Sequence, residues 1–147
     1  MKISRIRHVA FVVQDLKKSM YFYRDILGLK EYKREIEEGE FIEKLTGIKS
    51  VKLEWIKLII PEGGLIELLQ YHSHPDKVLF EKNARSNQIG CSHVALTVSN
   101  LENLYIKLSK ENFICKSKPL ISPNGLAKVL YCHDPDGSIV ELIEDLH

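Results

Sequence analysis

The feature that most constrains the fold of this chain is an internal repeat of one apolar sequence motif that contains a histidine. The segments that begin at His8 and, 85 residues later, at His93 both read His-Val-Ala-x-x-Val-x-x-Leu. Two copies of one motif predict two copies of one folding module. A histidine in a strand pattern also places a polar, metal-competent group where packing would favour a hydrocarbon.

A second repeat closes each module. Residues 61–69 align without gaps on residues 135–143, at an offset of 74, and the alignment places Glu67 on Glu141. Each glutamate has aliphatic neighbours on both sides, so each predicted strand carries a carboxylate among leucines and isoleucines. An ionised carboxylate in such a setting is costly unless a positive group meets it.

The two repeats select one histidine and one glutamate from each module. A single histidine in a strand is more often a hydrogen-bonded core or edge residue than a ligand. Four polar residues in two register-matched pairs instead favour a shared metal, which supplies the charge that all four require. Two imidazoles and two carboxylates suit divalent Ni, Co, Mn, Fe or Zn. The predicted ligands are His8, Glu67, His93 and Glu141.

Apolar periodicity predicts the element order β-α-β-β-β in each module, in a single domain over residues 1–147. The first module covers residues 3–71, the linker 72–88 and the second module 89–145. In the first module, a helix begins after Asp15 and ends at Gly28. After the second strand, an insert around residues 37–50 contains a short helix and accounts for the roughly eleven additional residues of this module. Predicted strands occupy 3–13, 29–36, 51–60, 65–71, 90–98, 113–116, 126–133 and 138–144.

Charge and composition exclude several classes of function. Lys plus Arg number 21 and Asp plus Glu number 20, without a basic block, so no nucleic-acid partner is expected. No apolar run has the length of a membrane span or the form of a signal peptide, so no membrane partner and a cytoplasmic location are expected. The cysteines are three and lack Cys-x-x-Cys spacing, which indicates reduced thiols at Cys91, Cys115 and Cys132.

Other candidate residues have simpler interpretations. His72 and His74 lie in a polar loop and are expected to be solvated, and His133 is expected to be structural or exposed. The cluster Tyr21-Phe22-Tyr23 has the spacing of a seam between helix and sheet. Cys91 lies two residues before His93, hence on the same face of the predicted strand, and is interpreted as a small buried apolar residue.

These motifs resemble the vicinal oxygen chelate superfamily, which includes glyoxalase I, bleomycin-resistance proteins and extradiol dioxygenases. The resemblance rests on both histidine motifs, on the sequence of the predicted helix at 21–29, and on the segments Gly64-Leu-Ile-Glu67 and Asp134-Pro-Asp-Gly-Ser-Ile-Val-Glu141. It implies an α+β fold in which two tandem βαβββ modules form a curved, cup-shaped mixed sheet around a metal site. It also implies that His8, Glu67, His93 and Glu141 match the four ligands of glyoxalase I. A homodimer is expected because cupped modules have open sheet edges.

Such a site predicts a lyase or isomerase that removes a proton next to a metal-bound carbonyl of a small molecule and stabilises the enediolate. Glu141 is the predicted base, with Glu67 as its near-symmetric partner. The alternatives are an Fe(II)-dependent ring-cleaving dioxygenase, an epimerase, or a metal-free protein that binds a small molecule. Dioxygenases of this type typically use two histidines and one glutamate as metal ligands. The ligand set of methylmalonyl-CoA epimerases instead resembles His, Gln, His and Glu. Glu67 therefore favours the glyoxalase I type.

Overall fold

The computed structural model describes residues 3–76, 83–90 and 93–146. The chain divides into two compact units, Met1–Val78 and Leu79–His147, at a position inside the predicted linker. Each unit contains one four-stranded mixed sheet and few helices, which confirms the α+β fold class. The helices among the described residues are all too short or too polar to cross a membrane.

The first unit begins with strand β1 (Val9–Val12) and helix α1 (Leu16–Met20), which continues directly as a π-helical segment (Tyr21–Ile26). Strand β2 (Lys30–Glu38), helix α2 (Glu40–Thr46), strand β3 (Lys52–Ile59) and strand β4 (Leu65–Tyr71) follow. The strand order is β1-β4-β3-β2, with β1 parallel to β4 and the other pairs antiparallel. The predicted first strand is shorter than expected because only Val9–Val12 pair with β4, and Ile3 and Ile6 are exposed.

The sequence signals of the first helix act as predicted. Asp15 has extended backbone, and its carboxylate accepts hydrogen bonds from the backbone N–H groups of Lys17 and Lys18. Gly28 ends the segment at a φ of +84°, a conformation that glycine adopts without steric cost. Phe22 and Tyr23 are fully buried, and Tyr23 stacks on Phe11 of β1. The aromatic cluster is therefore mainly the seam between helix and sheet.

The predicted helix in the insert of the first module is α2, and it packs on one face of its sheet. Ile42 of α2 forms a buried cluster with Val51 and with Leu53 of β3, and Leu69 of β4 packs against it. Leu69 has the same parity as Glu67 on β4, so α2 covers part of the face on which Glu67 lies.

The second unit repeats this plan with strand β5 (His93–Thr97), helix α3 (Leu101–Lys110) and strands β6 (Leu120–Ile121), β7 (Ala127–His133) and β8 (Ile139–Asp145). Its strand order, β5-β8-β7-β6, has β5 parallel to β8 and the remaining pairs antiparallel. Leu101 and Leu108 of α3 are fully buried.

The prediction of a strand at residues 113–116 is wrong. Cys115 forms only an isolated antiparallel bridge to Cys132, and the strand at this place in the order is β6. Pro119 follows closely and has no N–H to donate to a ladder, so the pairing with β7 is interrupted before β6 begins.

Candidate functional site

In the first unit, His8 and Glu67 form a close pair on one face of the sheet. His8 immediately precedes β1, and Ala10 of β1 lies in register with Glu67 of β4. The imidazole Nε2 of His8 is 3.2 Å from Oε2 of Glu67, and the glutamate side chain is only 11% exposed. The parallel pairing of β1 and β4 thus places both polar groups side by side on one face of the sheet.

The second unit contains the same arrangement. Ala95 of β5 lies in register with Glu141 of β8, as Ala10 does with Glu67. Nε2 of His93 is 3.0 Å from Oε2 of Glu141. The sequence repeats therefore correspond to a repeated side-chain geometry, one pair in each unit.

The two pairs differ in the residue that faces the glutamate from the third strand. Lys57 of β3 is the cross-strand neighbour of Glu67, and its ammonium Nζ is 3.2 Å from Oε1 of that carboxylate. The equivalent neighbour of Glu141 is Tyr131 of β7, whose ring centroid is 5.2 Å from that of His93. Burial, followed by the charge of Glu141, raises the pKa of the Tyr131 hydroxyl, so Tyr131 is neutral at neutral pH.

Sequence reasoning missed Lys57 and Tyr131. A signal was present, because the offset of 74 that relates the two glutamates also relates these two residues. The signal was hidden because lysine and tyrosine share no chemistry, and an alignment by residue type does not reveal them as equivalent.

The environment of His8 is incomplete on its other side. Nδ1 of His8 is buried and has no hydrogen-bond partner among the residues that the structure describes. Imidazoles that bind metals commonly donate a hydrogen bond from the second ring nitrogen, which fixes the ring orientation. Among the described residues, the polar contact of the His8 ring is the one between Nε2 and Glu67.

The donor types and spacing of each pair fit a divalent metal. Two ligands about 2.1 Å from one ion lie about 3.0 Å apart at right angles and about 3.4 Å apart in a tetrahedral site. The observed separations of 3.2 and 3.0 Å lie in this range, which also includes ordinary hydrogen bonds. Within the described part of either unit, no third His, Cys, Asp or Glu joins the pair, so one pair alone supplies two of the three or four protein ligands that such ions usually have.

A cavity of about 340 Å³ in the first unit lies apart from this chemistry. Glu54 and Gln70 contribute to its lining, and they have the opposite strand parity to Trp55 and Glu67. The cavity therefore lies on the face of the sheet that carries α1, away from His8 and Glu67. Its two arginines, Arg24 and Arg34, are each paired with carboxylates.

The remaining histidine candidates have structural partners. Nε2 of His72 is 2.9 Å from Glu54, and Nδ1 of His74 is 2.8 Å from the Ser73 hydroxyl. His133 is buried, and its Nδ1 lies 2.9 Å from the Gly137 carbonyl oxygen; burial lowers the pKa of its imidazole. His133 is therefore structural and not exposed.

The two cysteines among the described residues are reduced. Cys115 is half-buried and Cys132 is buried, and both are free thiols. Burial raises the pKa of both, that of Cys132 to about 12, which makes them poor nucleophiles at neutral pH. Cys91 lies outside the described residues.

Comparison with known proteins places this chain in a family. The family model of the Glyoxalase/Bleomycin resistance protein/Dioxygenase superfamily matches residues 5–142. The chain belongs to this superfamily. The match includes both histidine motifs and both glutamate strands, so the resemblance inferred from the motifs is confirmed.

Relatives within the superfamily are distant in sequence and close in length. YraH of Bacillus subtilis, an uncharacterized protein, is 27% identical over 99% of this chain and 100% of its own. A probable lactoylglutathione lyase of Synechocystis is 28% identical over 93% of this chain and 92% of its own.

Solved structures share the fold. A glyoxalase family protein from Bacillus cereus superposes with a TM-score of 0.90 at 24% identity, covering 100% of this chain and 97% of that one. The trypanothione-dependent glyoxalase I of Leishmania major superposes with a TM-score of 0.67 at 21% identity, covering 97% of this chain and 87% of that one.

Proposed function

We propose that this superfamily member is a divalent-metal-dependent lyase or isomerase of the glyoxalase I type, acting on a small α-oxygenated carbonyl compound or its thiol conjugate. The proposed ligands are His8, Glu67, His93 and Glu141. The observation that carries the proposal is the repeated pair of an imidazole Nε2 and a carboxylate oxygen at 3.2 and 3.0 Å. The similarity to a probable lactoylglutathione lyase supports the same reaction class.

The chemistry of the two pairs fits this reaction. A bound Ni, Co, Mn, Fe or Zn ion would polarise the substrate carbonyl and stabilise the negative charge that develops when the adjacent C–H proton leaves. Glu141 is the proposed base: its carboxylate takes the proton from one carbon and returns it to the neighbouring carbon. Glu67 is its near-symmetric partner, and the largely apolar strands around both glutamates limit the access of water that would compete for the proton.

Metal analysis of freshly purified, chelator-free protein tests the ligand set. We expect about one divalent ion per chain, bound by all four residues His8, Glu67, His93 and Glu141, and a marked loss of metal in His8→Ala and in His93→Ala. Full metal retention in either variant would contradict the assignment. Wild-type protein without any bound or bindable metal would favour a metal-free protein that binds a small molecule.

Activity assays then separate the reaction classes. We expect turnover of the hemithioacetal of methylglyoxal with a low-molecular-weight thiol, without oxygen uptake. Oxygen consumption with a catechol would instead favour an Fe(II) dioxygenase. Glu141→Gln should keep its metal and lose about 10²- to 10⁴-fold in turnover, the usual contribution of a positioned base. Turnover close to that of the wild type would refute the role of Glu141.

A further inference from the structure

The ionic surroundings of the two glutamates are unequal. Each oxygen of Glu67 has its own partner, since Oε2 faces His8 and Oε1 faces the ammonium of Lys57. Among the residues that the structure describes, Glu141 makes an ion pair only with His93, through Oε2. A repeat that looks symmetric in its ligands is therefore asymmetric in its charges.

Lys57 is held in place by a second contact. Its ammonium lies 4.2 Å from the ring centroid of Trp55, a cation–π contact on the same face of β3. The indole N–H of Trp55 donates a hydrogen bond of 2.7 Å to Glu37 of the neighbouring strand, which fixes the ring. The lysine side chain is only 24% exposed, so its charge is partly shielded from water.

We propose that Lys57 is a positioning residue that occupies one oxygen of Glu67. Glu67 then offers only Oε2 to a metal and is held in place by the Lys57–Glu67 ion pair, which we call the clamp. Within the described part of the chain Glu141 pairs with no lysine, so it is the carboxylate that is able to move and carry the proton. This inference rests on the proposed function and explains how two glutamates at equivalent positions take different roles.

Titration of the metal-free protein with Mn²⁺ tests the clamp without requiring a substrate. Lys57→Met keeps the alkyl stem against Trp55 and removes the cation that competes with the metal for Glu67. Its affinity for Mn²⁺ should rise about two- to fivefold, the scale of a partly exposed ion pair. Lys57→Arg retains the charge and should bind Mn²⁺ like the wild type. Tyr131→Met, at the equivalent position of the second unit, is the matched control and should also bind like the wild type.

A second experiment exchanges the asymmetry. In the wild type, Glu141→Gln should reduce turnover more than Glu67→Gln does. In a background with Lys57→Tyr and Tyr131→Lys, this difference should shrink or reverse, and circular dichroism would confirm that the exchanged protein is folded. A lysine that only supports the fold would not transfer the preference from one glutamate to the other.

The outcomes separate this inference from the proposed function. If the wild type binds Mn²⁺ and Lys57→Met has an equal or lower affinity, the clamp is refuted while the metal site stands. If the wild type binds no divalent metal, the proposed function fails and the clamp fails with it.

Discussion

The sharing of one ion by the two His-Glu pairs is open to a thermodynamic test. The pairs lie in different units, and each supplies two ligands. If all four residues hold one ion, removal of either histidine should abolish most of the binding, and removal of both should add little. If each pair holds its own ion, the two losses should add.

The expected magnitudes follow from linkage between binding and unfolding. A free Mn²⁺ concentration of 100 times Kd stabilises the folded protein by about 2.7 kcal/mol. For a chain of 147 residues, a change of about 1 kcal/mol shifts Tm by about 2–4 °C, so the wild type should gain about 5–11 °C. Loss of a direct ligand should weaken binding at least as much as loss of an outer-shell partner, about 100-fold. The stabilisation then falls to about 0.4 kcal/mol, or a shift of about 1–2 °C.

The assay is thermal unfolding monitored by circular dichroism, with and without Mn²⁺. It compares the wild type, His8→Ala, His93→Ala and the double variant. We expect all three variants to show nearly the same small shift. His72→Ala is the matched control, because His72 pairs with Glu54 outside both sets, and it should keep the wild-type shift. Single variants that each keep about half of the shift, with a double variant that has none, would refute a shared ion.

Three further predictions concern the rest of the fold. The Glu144 carboxylate accepts a hydrogen bond from the Leu101 backbone N–H, which lowers its pKa below the ordinary 4.5. At pH values above 4.5 the ionised Glu144 carboxylate therefore stabilises the folded state. This contribution is lost as the pH falls through the lowered pKa of the folded protein. Urea unfolding should show Glu144→Gln less stable than the wild type at pH 7, with a difference that narrows toward pH 3; a constant difference would contradict this. In a variant that lacks Cys91 and Cys115, Ellman's reagent at pH 8 should reach Cys132 only after unfolding, because burial raises its pKa to about 12, and rapid reaction in the native state would contradict this. Light scattering should give a homodimer of about 34 kDa from chains of 17.0 kDa, and a monomer mass would refute the expected dimer.

The sequence predicted those parts of the fold that have strong local signals. Asp15 and Gly28 bound the first helix because a side-chain cap and a left-handed residue are local requirements. The strand at 113–116 was wrong because Phe113 and Ile114 have the composition of a strand, whereas strand pairing depends on a partner and on the proline that follows. Local patterns do not record which partner is available.

The candidate site was predictable only in part, because the repeated motifs are visible in the sequence whereas the pairing of strands is not. Two repeats at different offsets selected the two histidines and the two glutamates, and each unit brings its own pair together. Lys57 was missed because its contact with Glu67 depends on the antiparallel register of β3 and β4, which no local signal specifies. Whether all four residues act on one ion stays a prediction.

The parallel register of β1 with β4, and of β5 with β8, has a consequence for tolerance to insertions. A shift of one residue in any of these four strands would turn a histidine or a glutamate to the opposite face of its sheet. The connection that contains α2 joins β2 to β3, and β2 is the outermost strand in the order, farthest from β1. Added length there leaves the register of the histidine and glutamate strands unchanged. Insertions designed to alter substrate selectivity therefore belong at the exposed residues 49–50, while the buried Ile42 and Val51 are kept and strands β1 and β4 keep their length.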